Sequence, residues 1–193
     1  QYIITADVFN GKIYKTSIET KSTEIIYSHK YGANAAREDT TGSVWFTQST
    51  ENQNEERLFM ALDKAIPDGA LYRIPITKDG TLSKPELILK NLYFANGFYI
   101  DEKRNKLYLS EMMKNRVLSF DLDIITGSVS NQTTLAVIPT PDNMELDSEG
   151  NLWISSPLAN QIYSVDPENG ETYVVFDAQT QIGLKNMEKA ISR

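Results

Sequence analysis

The sequence predicts an all-β protein, a β-propeller of four-stranded blades with about four blades in its 193 residues, and three observations carry that expectation. Short strand-like runs recur at even spacing between turn formers, which favours a sandwich, a barrel or a propeller. An internal repeat decides among them. NAAREDTTGSVWFTQS from Asn34, NGFYIDEKRNKLYLSE from Asn96 and DNMELDSEGNLWISS from Asp142 each open on a small polar residue. Each then reaches an Asp (Asp39, Asp101, Asp147), crosses a polar hairpin tip and rises through an aromatic residue (Trp45, Tyr108, Trp153). The third observation is the spacing of the strands that follow. GKIYKTSI, GALYRIPI, NRVLSFDL and NQIYSVDP begin at positions 11, 69, 115 and 160, so the last two intervals are 46 and 45 residues. Four strands per unit of that size is the signature of a propeller blade. One twisted four-stranded sheet cannot cover both its faces, whereas sheets stacked radially cover one another. A sandwich gives no reason for the same pattern to recur in register.

Along the chain, QYIITAD, GKIYKTSI and TEIIYSH read as the second to fourth strands of a first blade, and three further blades follow. The first interval is longer because residues 50–68 form an insertion carrying Leu58, Phe59, Met60 and Leu62 among charged residues. That segment reads either as a short lid over the channel mouth or as a helix covering a blade edge. The closing stretch, 182–193, has the apolar spacing of a helix. The whole, 1–193, is expected as a single propeller domain or part of one. QYIITAD lacks a basic n-region and reads as a strand rather than as a signal peptide. Asn131-Gln132-Thr133 fits a glycosylation sequon, a match that means little without a secretory context.

Composition limits the partners. Lys and Arg number 19 against 26 Asp and Glu, a formal charge of −7, which disfavours nucleic acid and anionic membrane surfaces but not a cation. No apolar run reaches the length of a membrane-spanning helix. With no cysteine, disulfides and thiolate metal sites are excluded, and neither the compartment nor the oligomeric state can be read.

The repeat register also marks chemistry. The start of a blade's innermost strand faces the central channel, and Asn34, Asn96 and Asp142 hold that equivalent place, with Asn143 beside Asp142. Oxygen-bearing side chains converging on one axis suit a hard divalent cation, Ca²⁺ above all; zinc and copper fit poorly without imidazole or thiolate ligands. Any one of these residues alone is as well explained as a turn former that bonds to its own backbone. Three in register are not. At the end of strand 2 the register aligns Asp7, Gln48, Glu111 and Ser156. Asp7 and Glu111 are secondary acid–base candidates, against the plainer reading of solvated rim charges. His29, the single histidine, reads as a surface or loop residue.

FANGFYIDEKRNKLYLSEMMKNRVLSFDLD and PTPDNMELDSEGNLWIS resemble the SMP-30/gluconolactonase/LRE-like family and its paraoxonase and strictosidine-synthase-like neighbours, all six-bladed propellers. The Ala95-Asn96-Gly97 and Pro141-Asp142-Asn143 elements are the most specific parts. The resemblance implies Ca²⁺, or another divalent cation, on the propeller axis. It implies Asn96 and Asp142 as ligands with Asn34 near metal and substrate in one branch, and Asn34, Asn96, Asp142 and Asn143 all as ligands in the other. Both branches add a Glu from an early blade that has no counterpart here. The implied activity is hydrolysis of a small-molecule lactone or related ester, with Asp142 as both ligand and catalytic base. Val8 stands where the paraoxonase branch has a catalytic His, and the Glu of the strictosidine-synthase chemistry has no match. The rival expectation is a non-catalytic binding scaffold whose metal is structural or absent.

Overall fold

The computed structural model describes residues 1–52, 61 and 64–191. Among them, four antiparallel sheets follow one another along the chain, each ordered as its strands occur in sequence. The first holds three strands: β1 (Tyr2–Ala6), β2 (Lys12–Ser17) and β3 (Thr23–Ser28). The second holds β4 (Ala36–Glu38), β5 (Val44–Gln48), β6 (Gly69–Ile74) and β7 (Glu86–Leu92). The third holds β8 (Ala95–Asp101), β9 (Lys106–Glu111), β10 (Arg116–Asp123) and β11 (Ser128–Val137). The fourth holds β12 (Met144–Leu146), β13 (Leu152–Ser156), β14 (Gln161–Val165) and β15 (Thr172–Asp177). These are the blades the repeat implies. A terminal helix, α1 (Gln181–Ile191), starts where Thr180 Oγ1 accepts a hydrogen bond from the Gly183 amide at 3.0 Å, the usual N-terminal cap.

Packing between sheets explains the residue pattern. In β5, Val44 and Phe46 pack with Ile13, Ala33 and Ile74 toward the first sheet, while Trp45 joins Ala95, Phe98, Leu107, Leu109 and Phe120 of the third. Successive side chains of a strand point to opposite faces, so a strand buried on both sides is apolar throughout rather than alternating. All five residues of β5 are buried. β9 behaves likewise: Leu107 and Leu109 face the second sheet, and Tyr108 packs with Met144, Leu152 and Ile154 of the fourth. β13 covers one face alone. Leu152 and Ile154 are buried, and Trp153 between them is 44% exposed.

The repeated Asp builds the hairpin between strands 1 and 2. Asp39 Oδ1 accepts the amides of Thr41 and Ser43, and its Oδ2 accepts the Trp45 indole N–H at 2.7 Å. Asp147 repeats this with the amides of Glu149 and Asn151 and with Trp153 at 2.8 Å. In the third sheet Asp101 instead takes the amide and guanidinium of Arg104. Asp39 is the most enclosed of these, because Arg73 runs beside it at 3.9 Å and lies over the Trp45 ring.

Most of the 50–68 insertion lies outside the described residues, so its reading as lid or covering helix does too. Its return is pinned by Asp68, whose carboxylate accepts Thr50 Oγ1 and the Glu51 amide and whose carbonyl accepts Gln48 Nε2.

Asp39→Ala strands a buried guanidinium and a buried indole N–H, whereas Asp147→Ala frees an indole that water already reaches. Urea unfolding is expected to show a loss of about 3–5 kcal/mol for the first and about 1 kcal/mol for the second.

Candidate functional site

Antiparallel pairing fixes which residues are equivalent between sheets. Ala36 pairs with Phe46, Phe98 with Leu109 and Met144 with Ile154, and each stands two positions after Asn34, Asn96 and Asp142 respectively. Asn34 and Asp142 precede their strands yet keep the ladder, since their amides donate to the carbonyls of Thr47 and Ser155 at 2.8 Å. The three side chains therefore occupy one level of three successive blades.

One level further in, the inner strands meet. Arg37 Nη2 of the second blade reaches Glu145 Oε2 of the fourth at 2.6 Å, and the Arg37 guanidinium lies 4.6 Å from the centre of the Tyr99 ring of the third. Arg37, Tyr99 and Glu145 each follow the polar residue of their own blade by three positions, so three blades converge at the level beneath the candidate site. No motif marks this layer. Its signal is positional, three chemically complementary residues at one offset in the repeat.

At the upper level, Asp142 and Asn96 are in contact. Asn143 Nδ2 donates to Asp142 Oδ1 at 3.3 Å, and the Asn96 side chain stands near enough to the Asp142 carboxyl to act on its titration. Burial pushes the Asp142 carboxyl above its ordinary value, and the Asn96 hydrogen bond works against that shift. Asn96 is 4% exposed, its Nδ2 faces Met112 Sδ at 3.6 Å, and its Oδ1 is buried with no hydrogen-bond partner. An orphaned buried carbonyl oxygen beside a half-buried carboxylate is uncommon, because a buried polar group left unpaired is costly. Hard oxygen donors of this kind fit a hard cation.

Asn34 is joined to the group indirectly. Its Nδ2 donates to Ser49 Oγ at 2.9 Å, Ser49 donates to the Ala95 carbonyl at 2.8 Å, and Thr47 Oγ1 donates to the Asn96 carbonyl at 2.7 Å. The hydroxyls of Thr47, on β5, and Ser49, just beyond it, thus tie the second strand of the second blade to the inner strand of the third, a role that the polar run from Thr47 to Thr50 leaves unannounced. Gly97 holds the third and fourth inner strands together. Its amide donates to the Asp142 carbonyl at 3.1 Å, and a Cβ there would stand 2.5 Å from Asn143 Cα and 2.7 Å from the Asp142 carbonyl oxygen.

The strand-2 ends fall where the register puts them, and all serve the framework. Asp7 caps its own turn through Asn10 and Phe9, and the Asn10 side-chain bond leads the causes that hold its carboxyl below the ordinary value. Glu111 is buried, with Oε1 accepting the Tyr93 amide and Oε2 paired with Arg116 at 2.6 Å. Among the described residues no three His, Cys, Asp or Glu side chains gather as a metal cluster. The candidate site draws instead on amide oxygens around the carboxylate of Asp142. His29 lies outside the strands but is half-buried, packed against Phe46 and Tyr72 with ring centres 5.0 and 4.9 Å away. Gln48 Nε2 is spent on the Asp68 carbonyl, so Gln48 Oε1 accepts His29 Nε2–H at 2.8 Å. Burial lowers the His29 pKa, with the Gln48 bond opposing.

The family model described as the SMP-30/Gluconolactonase/LRE-like region matches residues 5–182. Protein strictosidine synthase-like 7 of Arabidopsis thaliana is 26% identical over 160 residues, covering 80% of this chain and 41% of that protein. The chain thus spans about two-fifths of the length of this curated relative. A gluconolactonase from Xanthomonas campestris superposes with a TM-score of 0.69 at 19% identity, over 93% of this chain and 60% of its own. Regucalcin from Agrobacterium tumefaciens, a calcium-binding protein, superposes at 0.64 with 14% identity, over 87% and 54%. At such identities the solved structures establish the β-propeller fold.

Two outcomes follow from this geometry. Gly97→Ala forces the third and fourth inner strands apart, and chemical denaturation is expected to register a loss of about 1–3 kcal/mol. His29 is held neutral in the fold, so the unfolded chain takes up a proton first as pH falls. Its contribution is complete above the unfolded value of about 6.5 and is lost below it. The fall in Tm between pH 7.5 and 5.5 should accordingly be smaller in His29→Gln than in the native protein.

Proposed function

Because the chain belongs to the SMP-30/gluconolactonase/LRE-like family, we propose that it hydrolyses lactones or related esters with the help of a divalent cation, Ca²⁺ in the first place, held at the Asn96–Asp142 level of the propeller. The observation that carries this reading is the orphaned Asn96 Oδ1 near the half-buried Asp142 carboxylate. Asn96 and Asp142 would hold the cation, with Asn143 and Asn34 contributing amide oxygens from either side. When bound there, the ion supplies a Lewis acid for the carbonyl oxygen of the substrate.

The residues of the chain do the rest. Asp142 takes the proton from the attacking water, as a general base within reach of it. Asn96 and Asn143 fix the rotation of that carboxylate through their amides. Gly97 and the Thr47 and Ser49 hydroxyls set the spacing of the strands that carry them. The Arg37–Glu145 pair closes the level below with its charges matched, so it imposes little net field on the cation.

Hydrolysis of a panel of γ- and δ-lactones and aryl esters is expected to require the cation and to stop with chelator. Asp142→Asn should lower kcat by about 10²–10⁴-fold. Independently of turnover, Ca²⁺ should raise the Tm of the native protein, by an amount that grows with the logarithm of its concentration above Kd, and this shift should vanish in Asn96→Ala. Activity that survives both chelator and Asp142→Ala refutes the proposal. Calcium binding without turnover on any substrate favours the scaffold instead.

A further inference from the structure

Beside the polar level lies a second cluster of different chemistry. Ala61, Phe94 and Met112 are buried together, and Val8, Met113 and Leu158 pack on them while remaining half-exposed. Five of these six residues lie on strand-2-to-strand-3 connections of four successive blades: Val8 between β1 and β2, Ala61 between β5 and β6, Met112 and Met113 between β9 and β10, and Leu158 between β13 and β14. Phe94 stands directly before β8. Strand 2 runs antiparallel to strand 1, so these connections share the end of the blades at which Asn34, Asn96 and Asp142 stand. Residues of the first and fourth blades can touch one cluster only near the axis.

The link to the polar level is direct. Met112 Sδ is 3.6 Å from Asn96 Nδ2, the Met112 amide donates to the Phe94 carbonyl at 3.2 Å, and the Met113 amide donates to the Tyr93 carbonyl at 3.1 Å. The apolar loop and the strand carrying Asn96 are therefore one rigid piece. None of the six side chains can bond to a hydroxyl beyond the weak acceptor of a thioether. Two are methionines, which adapt to irregular apolar shapes.

We propose that Val8, Met113 and Leu158, backed by Ala61, Phe94 and Met112, form an apolar wall that binds an alkyl or aryl arm of the substrate. The preferred substrate is then a lactone or ester with a hydrocarbon substituent, not a polyhydroxylated ring. A sugar lactone placed here would turn hydroxyls onto surfaces that offer them no partner, and each hydroxyl stripped of water without replacement counts against binding. A hydrocarbon arm gains with each methylene it buries. The nature of the reacting group rests on the lactonase reading given above; the apolar wall does not.

The test uses the full chain with Ca²⁺. Values of kcat/KM are compared for δ-valerolactone, δ-octanolactone, δ-decanolactone and D-glucono-δ-lactone, and in parallel the 6-alkyl-2-piperidinones, which are lactams that resist hydrolysis, are titrated by calorimetry. Both series are expected to improve about three- to fourfold per methylene until the arm outgrows the wall, with gluconolactone the poorest substrate. Leu158→Gln and Met113→Gln, at half-exposed positions that tolerate a polar side chain, should flatten this dependence on chain length. Gluconolactone as the best substrate, or rates independent of chain length, overturns the inference and leaves the lactonase reading standing. Chain-length-dependent binding of the lactams without turnover of any lactone supports the wall and removes the lactonase. Lactam affinities independent of chain length overturn the wall whatever the turnover.

Discussion

A twisted β-sheet has two faces, and in this protein the second and third sheets must bury both. That requirement stacks the sheets face to face around a common line, and every other feature of the molecule follows from the stacking. It makes β5 apolar at every position, with Trp45 turned to one neighbour and Phe46 to the other. It also brings the inner strand of one blade within hydrogen-bonding distance of the blade before it. Thr47 bonds to the Asn96 carbonyl and Gly97 to the Asp142 carbonyl. Hydrophobic burial, about 1.5–3 kcal/mol for each large side chain fully enclosed, thereby drives polar side chains into a shared interior level that they would not occupy by themselves.

The polar level is distinguished by what is left unmatched. Buried oxygens in folded proteins are nearly always hydrogen-bonded, and around Asn96 nearly every other group is. Ser49, Thr47 and Gly97 are each committed to backbone carbonyls, Glu111 to Tyr93 and Arg116, and Asp7 to its own turn. Asn96 Oδ1 has no such partner. The contrast sets Asn96 Oδ1 apart from the carboxylates of Glu111 and Asp7, which are committed to partners at the ends of strand 2.

The level is enclosed by chemically opposite neighbours. Below it, Arg37, Tyr99 and Glu145 form a charged and aromatic floor in which positive and negative partners are matched across two blades. Beside it, Phe94, Met112 and their neighbours exclude water. On the proposed reading, a cation and a carbonyl group held between such surfaces would interact in a medium of lower polarity than bulk water, where charge–dipole attraction is stronger. The family to which the chain belongs motivates the proposed class of chemistry, and these surroundings motivate the proposed selectivity.

The blade pattern was legible in the chain because strand period, turn chemistry and the recurring Asp–aromatic hairpin are local, and the register of the repeat carried Asn34, Asn96 and Asp142 to one level without any knowledge of contacts. Local signals reach no further. That Asp39 bonds to Trp45 while Asp101 turns to Arg104 depends on which side chain the neighbouring sheet leaves room for. That Arg37 meets Glu145, or that Leu158 and Val8 touch one apolar cluster, depends on residues more than a hundred positions apart approaching one axis. Sequence determined which residues form each strand and which of them are equivalent. Only the stacking of the sheets decided which equivalents meet, because contact across the axis is set by the angle and separation between blades, quantities that no single blade encodes.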